Sequence, residues 1–123
     1  MRQYVRLIDF MLALGTAIQD YLPEDERANV PDFKSFLDEW TSRTSLIELY
    51  RLRSDIRSYL VKHTAGDYTV DELFFYYDIG FVYERVGSED PVFLAGVVQM
   101  LDRIICRKKA ALAGKHLGWI GFK

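Results

Sequence analysis

The sequence contains little cysteine and little proline: one cysteine, Cys106, and three prolines among 123 residues. A single cysteine excludes an intramolecular disulfide framework and a cysteine-cluster metal site, and it is typical of a reducing compartment. The apolar stretch near the amino terminus is interrupted by Asp9, which leaves it too short for a cleaved signal or a membrane span. We therefore predict a cytoplasmic protein that does not bind a membrane.

The sequence also lacks a large excess of either charge. Eighteen acidic and sixteen basic residues give a formal net charge of −2, which is too small to indicate a polyanion binder as a whole. The distribution is uneven, however. Residues 67–102 contain eight acidic residues and one basic residue, whereas residues 103–123 contain six basic residues and no acidic ones. These charges either face each other and water across the fold or form two separate binding surfaces.

No catalytic motif is present. The glycines Gly114, Gly118 and Gly121 do not match the spacing of dinucleotide-binding or P-loop motifs. The two histidines, His63 and His116, have no partner at zinc-ligand spacing, so an exposed or helix-capping role is favoured. We predict a protein that is not an enzyme and has neither a cofactor nor a metal site.

Two residues, Cys106 and Asp78, are the candidates for a catalytic role if the protein is an enzyme. Cys106 stands beside basic residues, as reactive thiols do, but its neighbour Ile105 favours a small buried apolar role. Asp78 lies among aromatic residues, where a structural hydrogen bond is favoured over chemistry. A small enzyme using either residue is the least favoured function, because active sites normally gather several polar groups.

Apolar residues at three-and-four spacing, bounded by prolines, glycines and capping residues, predict about five helices. Asp32 is expected in the first turn of the second helix, and Ser45 with Glu48 has the capping-box spacing. Surface pairs are expected between Glu48 and Arg51 and between Arg51 and Asp55. The predicted helices cover residues 2–22, a segment opened by Pro31, Ser45 to Gly66, Thr69 to Gly87, and Asp90 as N-cap to about Gly114.

The fourth predicted helix is the least certain in type. Residues 74–77 and 81–83 are strand-prone, so a hairpin is the alternative, but the capping box at Thr69 and the helical neighbours favour a helix. This helix would be apolar almost all round and therefore central. We predict an all-α fold, a compact bundle of about five helices, with residues 1–123 as one domain and residues 115–123 as a tail that folds back or docks onto a partner.

Each of the other predicted helices has an apolar inner face. The expected inner residues are Val5, Leu7, Ile8, Met11, Leu12, Leu14, Gly15 and Ile18; Phe33, Phe36, Leu37 and Trp40; Leu49, Leu52, Ile56, Tyr59 and Leu60; and Val92, Phe93, Val97, Met100, Leu101, Ile104 and Ile105.

An acidic, tyrosine-rich region is the leading candidate site. Tyrosine joins a large apolar ring to a polar edge, which suits an interface, and negative charge around it would attract a basic protein. In size, slight acidity and helicity the chain resembles small intracellular proteins that neutralise a partner, such as bacterial toxin-immunity proteins. We therefore expect a non-catalytic inhibitor that masks a basic partner. The expected contact residues are Asp71, Glu72, Tyr76, Tyr77, Asp78 and Glu84.

The basic carboxyl-terminal region supplies the alternative functions. Its cations could contact phosphates of a nucleic acid, although nothing there supplies base recognition. Its apolar tail could instead dock onto a second copy of the chain and form a homo-oligomer. The expected phosphate-contacting residues are Arg103, Arg107, Lys108, Lys109 and Lys115.

Overall fold

The computed structural model describes residues 4–17, 19, 22–26, 31–67, 72 and 90–119. These residues form four α-helices and no strand, which confirms the all-α class, although about five helices were predicted. The predicted fourth helix and its hairpin alternative lie outside the described residues, except for Glu72. The elements are α1 (Val5–Ala17), a 3₁₀ turn (Glu24–Glu26), α2 (Phe33–Ser42), α3 (Leu46–Thr64) and α4 (Asp90–Trp119).

Helix α1 is shorter than predicted and turns a slightly different face inward. It ends at Ala17, and Gln19 then adopts a left-handed backbone with φ 58°. Phe10, which the sequence reading missed, is fully buried, whereas Leu12, expected inside, is 42% exposed. The two positions lie on opposite margins of the apolar stripe of α1. Phe10 is the one turned inward because it packs against other aromatic rings; its ring centroid is 5.2 Å from that of Trp40.

Helix α2 begins after a side-chain cap. The amide of Ser35 donates to Asp32 Oδ1 at 2.7 Å, so Asp32 is the N-cap of α2. The prediction that Asp32 lies in the first turn of the helix is therefore wrong by one position. This hydrogen bond lowers the pKa of the Asp32 carboxyl. Phe36 and Leu37 are buried as expected. Thr41 is buried as well, and its hydroxyl donates to the Leu37 carbonyl at 2.7 Å, which satisfies the polar group.

Both predicted ends of α3 are confirmed. Ser45 Oγ accepts from the Glu48 amide at 3.2 Å. At the other end Gly66 has φ +89°, its amide donates to the His63 carbonyl, and the Asp67 amide donates to the Lys62 carbonyl. These two bonds form a Schellman motif, which requires a residue that tolerates positive φ.

The inner face of α3 is the predicted one. Leu49, Leu52, Ile56 and Tyr59 are fully buried, and Leu60 packs against them partly exposed. His63 lies in the last turn of the helix, as expected, with its ring centroid 5.5 Å from that of Tyr59.

Helix α4 is longer than predicted. Asp90, expected as the N-cap, is the first helical residue, and the helix continues to Trp119. The backbone of residues 115–119 therefore continues α4, residues 120–123 lie outside the described residues, and the docking role of this tail stays a prediction. Leu94 is fully buried although it was not predicted, whereas Val92 is 67% exposed. Phe93, Val97, Leu101, Ile104 and Ile105 are buried as expected, and Met100 is partly buried.

Contacts define how the helices run. Phe33 of α2 lies 5.0 Å from Phe93 of α4, measured between ring centroids, and the far end of α2 shares a groove with Ile104 and Arg107, so α2 and α4 are parallel. Helix α3 follows α2 after a short turn and runs back along α4, where Arg53 meets Asp102 at 2.7 Å. Helix α1 packs on α3, and its side chains join the same core cluster.

None of the helices in the described part of the chain has the length and apolar character needed to span a bilayer.

Candidate functional site

The acidic residues predicted for partner binding fall almost entirely outside the described residues. Glu72 alone is described, and it is helical and exposed. Asp71, Tyr76, Tyr77, Asp78 and Glu84 lie outside, so the acidic aromatic surface stays a prediction.

The basic residues of the alternative site lie together on α4. Arg103, Arg107 and Lys109 are exposed, and Lys108 is half-buried. Arg103 and Arg107 are four residues apart and therefore neighbours on the same helix face. Lys115 follows on the same helix, although its side chain is outside the described part.

Ion pairing separates these cations from the described arginines of the first three helices and from Lys34. On the first three helices Arg6 pairs with Glu48, and Arg53 and Arg57 both pair with Asp102, at 2.7 Å and 3.3 Å. In contrast, within the residues the structure describes, no carboxylate pairs with any of the four α4 cations. Three further pairs hold surface cations: Lys34 with Asp38 at 3.9 Å, Arg43 with Glu39 at 3.8 Å, and Arg51 with Glu48 at 3.4 Å.

The α4 cations also lie where the helix leaves the core. Ile105 is the last buried residue among those of α4 whose side chains are described, and every residue from Cys106 to Ala113 is exposed except Lys108. Leu112 is 55% exposed, although it is eleven residues beyond fully buried Leu101 and so on the same helix face. Cys106 is exposed, so its predicted burial is wrong. Sequence neighbours misled that prediction because Cys106 follows Ile105 by one residue, a rotation of about 100°.

Part of the charge on α4 has a structural use. Arg107 and Lys108 line a groove of about 340 Å³ together with Thr41 and Ser42, at the last turn of α2. The carbonyl end of a helix carries partial negative charge, which cations stabilise. Arg103 and Lys109 do not line this groove. The positive charge that faces solvent on α4 therefore comes chiefly from these two residues and from Arg107, which lines the groove but is also exposed.

A second cationic groove, which the sequence reading did not identify, follows α3. It measures about 570 Å³, and Arg53 in it is stacked over the Tyr50 ring at 4.9 Å from the centroid. Lys62 lies 5.4 Å from the centroid of the Tyr4 ring, and a hydrogen bond with Tyr4 raises the pKa of Lys62. The four-residue spacing of its members was the available sequence signal. The described lining residues are Tyr50, Arg53, Ser54, Arg57, Ser58, Val61 and Lys62.

The described residues contain no group of three or more histidine, cysteine, aspartate or glutamate side chains placed to hold a metal ion. Comparison of the chain with family models, with curated proteins and with solved structures finds no match. The two cationic surfaces, on α3 and on α4, are therefore the candidate binding sites among the described residues.

Proposed function

We propose that this protein is a non-catalytic binding protein whose helix α4 contacts the phosphate backbone of a nucleic acid. The observation that carries the proposal is the set of α4 cations without carboxylate partners in the described part of the chain, on a helix that continues past the core. This was the alternative function drawn from the sequence, and the placement of Arg103, Arg107 and Lys109 on exposed surface supports it.

The expected binding mode is independent of base sequence. Arginine and lysine on a helix surface contact phosphate oxygens, and affinity arises largely from counterions released from the nucleic acid. Four phosphate contacts predict that affinity falls by about 100-fold between 50 mM and 200 mM salt.

Fluorescence anisotropy with a labelled duplex DNA and a labelled single-stranded RNA tests this proposal. The triple variant Arg103→Gln, Arg107→Gln, Lys109→Gln should bind far more weakly and show a smaller salt slope. The matched control is Lys34→Gln, Arg43→Gln, Arg51→Gln, which removes the same charge from exposed residues that have carboxylate partners. Equal weakening by both triple variants would show that only net charge matters and would reject the α4 site.

We also propose, as a second candidate, the inhibitor function favoured by the sequence. Its support is the acidic composition of residues 67–102 and the exposure of Glu72. A pull-down with tagged protein at moderate salt, followed by mass spectrometry, should then recover one stoichiometric basic protein. Reversing the charges of Asp71 and Glu72 should weaken that complex while helicity is kept, and an unchanged affinity would reject the acidic surface as the site.

A further inference from the structure

We propose that the nucleic acid bound by α4 is duplex DNA in the B form, and that the part of α4 beyond the core lies in its major groove. This inference rests on the proposed function and adds to it the class of nucleic acid and the groove. Arg103 and Arg107 would contact phosphates of one strand, and Lys109 would contact phosphates of the other.

The exposed cations of α4 lie on two sides of the helix. Successive residues of an α-helix are rotated by about 100°, so Arg103 and Arg107 are only about 40° apart and share one side. Lys109 is two residues beyond Arg107, a rotation of about 200°, and therefore lies on the other side. All three side chains are exposed. Cations on both sides of one helix suit a groove that has a row of phosphates along each edge.

The face of α4 between these two sides points away from the core. Ile104 and Ile105 are buried, and positions 106, 110 and 113 project to the other side of the helix. These positions hold Cys106, Ala110 and Ala113, all of which are exposed. Their side chains are short, so this face lets the helix backbone approach the floor of a groove closely.

The dimensions of B-form DNA fit such a helix. An α-helix with its side chains is about 10 to 12 Å in diameter, and the major groove of B-form DNA is about 12 Å wide. The minor groove, at about 6 Å, is too narrow. Duplex RNA is in the A form, whose major groove is deep and narrow. An RNA duplex therefore offers the same phosphate charges without a groove that admits α4.

The charge along this stretch of α4 is of one sign. Residues 103–123 contain six basic residues and no acidic one. The carboxylate that precedes them, Asp102, is held by Arg53 at 2.7 Å and by Arg57 at 3.3 Å. Phosphates on either side of the helix therefore meet cations, with no acidic residue of this stretch to repel them.

Fluorescence anisotropy with the full chain at low salt compares a short DNA duplex with an RNA duplex of the same sequence and length. We expect the DNA duplex to bind at least about tenfold more tightly, because RNA in the A form allows contact with one strand only. Equal or tighter binding of the RNA duplex would overturn the proposal. Tighter binding of the single DNA strand than of the DNA duplex would overturn it as well.

Methylation of the DNA duplex by dimethyl sulfate identifies the groove. The reagent modifies guanine N7, which lies in the major groove, and adenine N3, which lies in the minor groove. Saturating protein should reduce methylation of N7 and leave methylation of N3 unchanged. Protection of N3 instead, or bound DNA with neither atom protected, would contradict the placement of α4 in the major groove.

The variant Ala110→Trp tests the close approach without changing charge. A bulky ring at this position should hold α4 away from the groove floor and weaken DNA binding at least about fivefold, because fewer phosphates stay in contact. Ala95→Trp is the matched control, since Ala95 is an exposed alanine of the same helix. A rise of about 1.5 Å per residue places it about 22 Å from Ala110. Circular dichroism checks the fold of both variants, and equal weakening by both would reject the assigned face.

The second side of the helix has its own test. Lys109→Gln should reduce the salt slope of DNA binding by about one, as loss of one phosphate contact does. An unchanged slope would mean that only the side with Arg103 and Arg107 contacts DNA, which would overturn the placement between two strands.

The α4 triple variant distinguishes failure of this inference from failure of the proposed function. If the triple variant loses binding and the parent protein has no preference for duplex DNA, the phosphate contacts stand and the major-groove inference is wrong. If the parent protein binds no nucleic acid, or the triple variant binds as tightly as the parent, the proposed function is wrong and this inference fails with it.

Discussion

Asp55 of α3 caps the first turn of α1 by accepting a hydrogen bond from the backbone amide of Arg6, a residue 49 positions earlier. The same carboxylate oxygen accepts from the Leu7 amide at 3.2 Å. Helix N-termini leave several amides without a partner inside the helix, and here the acceptor comes from another helix. The cap thus acts as a tertiary contact. The Arg6 side chain adds a second link between α1 and α3 by pairing with Glu48, which lies in the first turn of α3.

Replacing Asp55 should destabilise the protein through α1. We expect Asp55→Ala to lower the free energy of unfolding by about 1 to 2 kcal/mol, as loss of a helix cap does. Asp55→Asn keeps an acceptor oxygen and should lose less. Urea denaturation measures both, and Asp9→Ala, at an exposed position on α1, should stay within about 0.5 kcal/mol of the parent protein. An Asp55→Ala protein as stable as Asp9→Ala would mean that the cap contributes nothing.

Two substitutions on α1 test which face is inside. Phe10 is fully buried among aromatic rings, so Phe10→Ala should cost about 3 to 5 kcal/mol through lost burial and the cavity left behind. Leu12 is 42% exposed, so Leu12→Ala should cost well under half as much. Thermal unfolding followed by circular dichroism ranks the two. The reverse order would contradict the orientation of α1.

Two glycines should respond to alanine in opposite directions. Gly66 has φ +89°, where a side chain is strained, so Gly66→Ala should cost about 1 to 2 kcal/mol. Gly96 lies inside α4, and a Cβ there meets nothing within 4 Å. Gly96→Ala should therefore stabilise the protein by about 0.5 to 1 kcal/mol through helix propensity. Denaturation midpoints compared with the parent protein check both signs.

The cap of α2 should depend on pH. The pKa of Asp32 is lowered from its ordinary value of 3.8 by the hydrogen bond from the Ser35 amide, so the folded state favours the carboxylate. A lowered pKa gives stability that is present above pH 3.8 and is lost as pH falls through the lower folded value. The melting temperature difference between the parent protein and Asp32→Ala should therefore be largest near neutral pH and shrink in acid. A difference that grows below pH 3.8 would contradict this assignment.

The helix class and both ends of α3 could be predicted from the sequence because they depend on local chemistry. A serine oxygen and a glycine at positive φ act within one turn, so Ser45 and Gly66 were identified correctly. The inner face of α3 followed from spacing alone, since Leu52 and Ile56 lie at the centre of its apolar stripe.

The wrong predictions concern features that tertiary contacts determine, such as which side chains are buried. Residues on the margins of a stripe are turned in or out by the neighbouring helix, which explains the exposure of Val92 and the burial of Leu94. Asp55 was paired with Arg51 from local spacing, but its acceptor is used by the amides of α1. Gly114 was taken as a helix end, yet an interior glycine costs only about 1 kcal/mol and α4 continues through it.

The candidate sites were less accessible than the fold. The sequence analysis named Arg103 and Arg107 as phosphate contacts, but their lack of ion pairs within the described residues depends on where the carboxylates of other helices lie. The four-residue spacing of the α3 groove residues was visible in the sequence, but the pairing of Arg57 with Asp102, 45 residues away, was not. Long-range pairing of this kind has no local signature in the sequence.

The stretch of α4 from Cys106 to Ala113 should also report on events at its surface through amide hydrogen exchange. Its side chains are almost all exposed, so few tertiary contacts oppose local opening, and its amides should exchange faster than those of Val97 to Ile105 on the same helix. One continuous helix would thus contain a slowly exchanging segment followed by a rapidly exchanging one. A molecule that binds the segment from Cys106 to Ala113 should slow exchange of the amides there and leave exchange of the amides from Val97 to Ile105 unchanged. The second segment therefore serves as an internal reference for binding to the first.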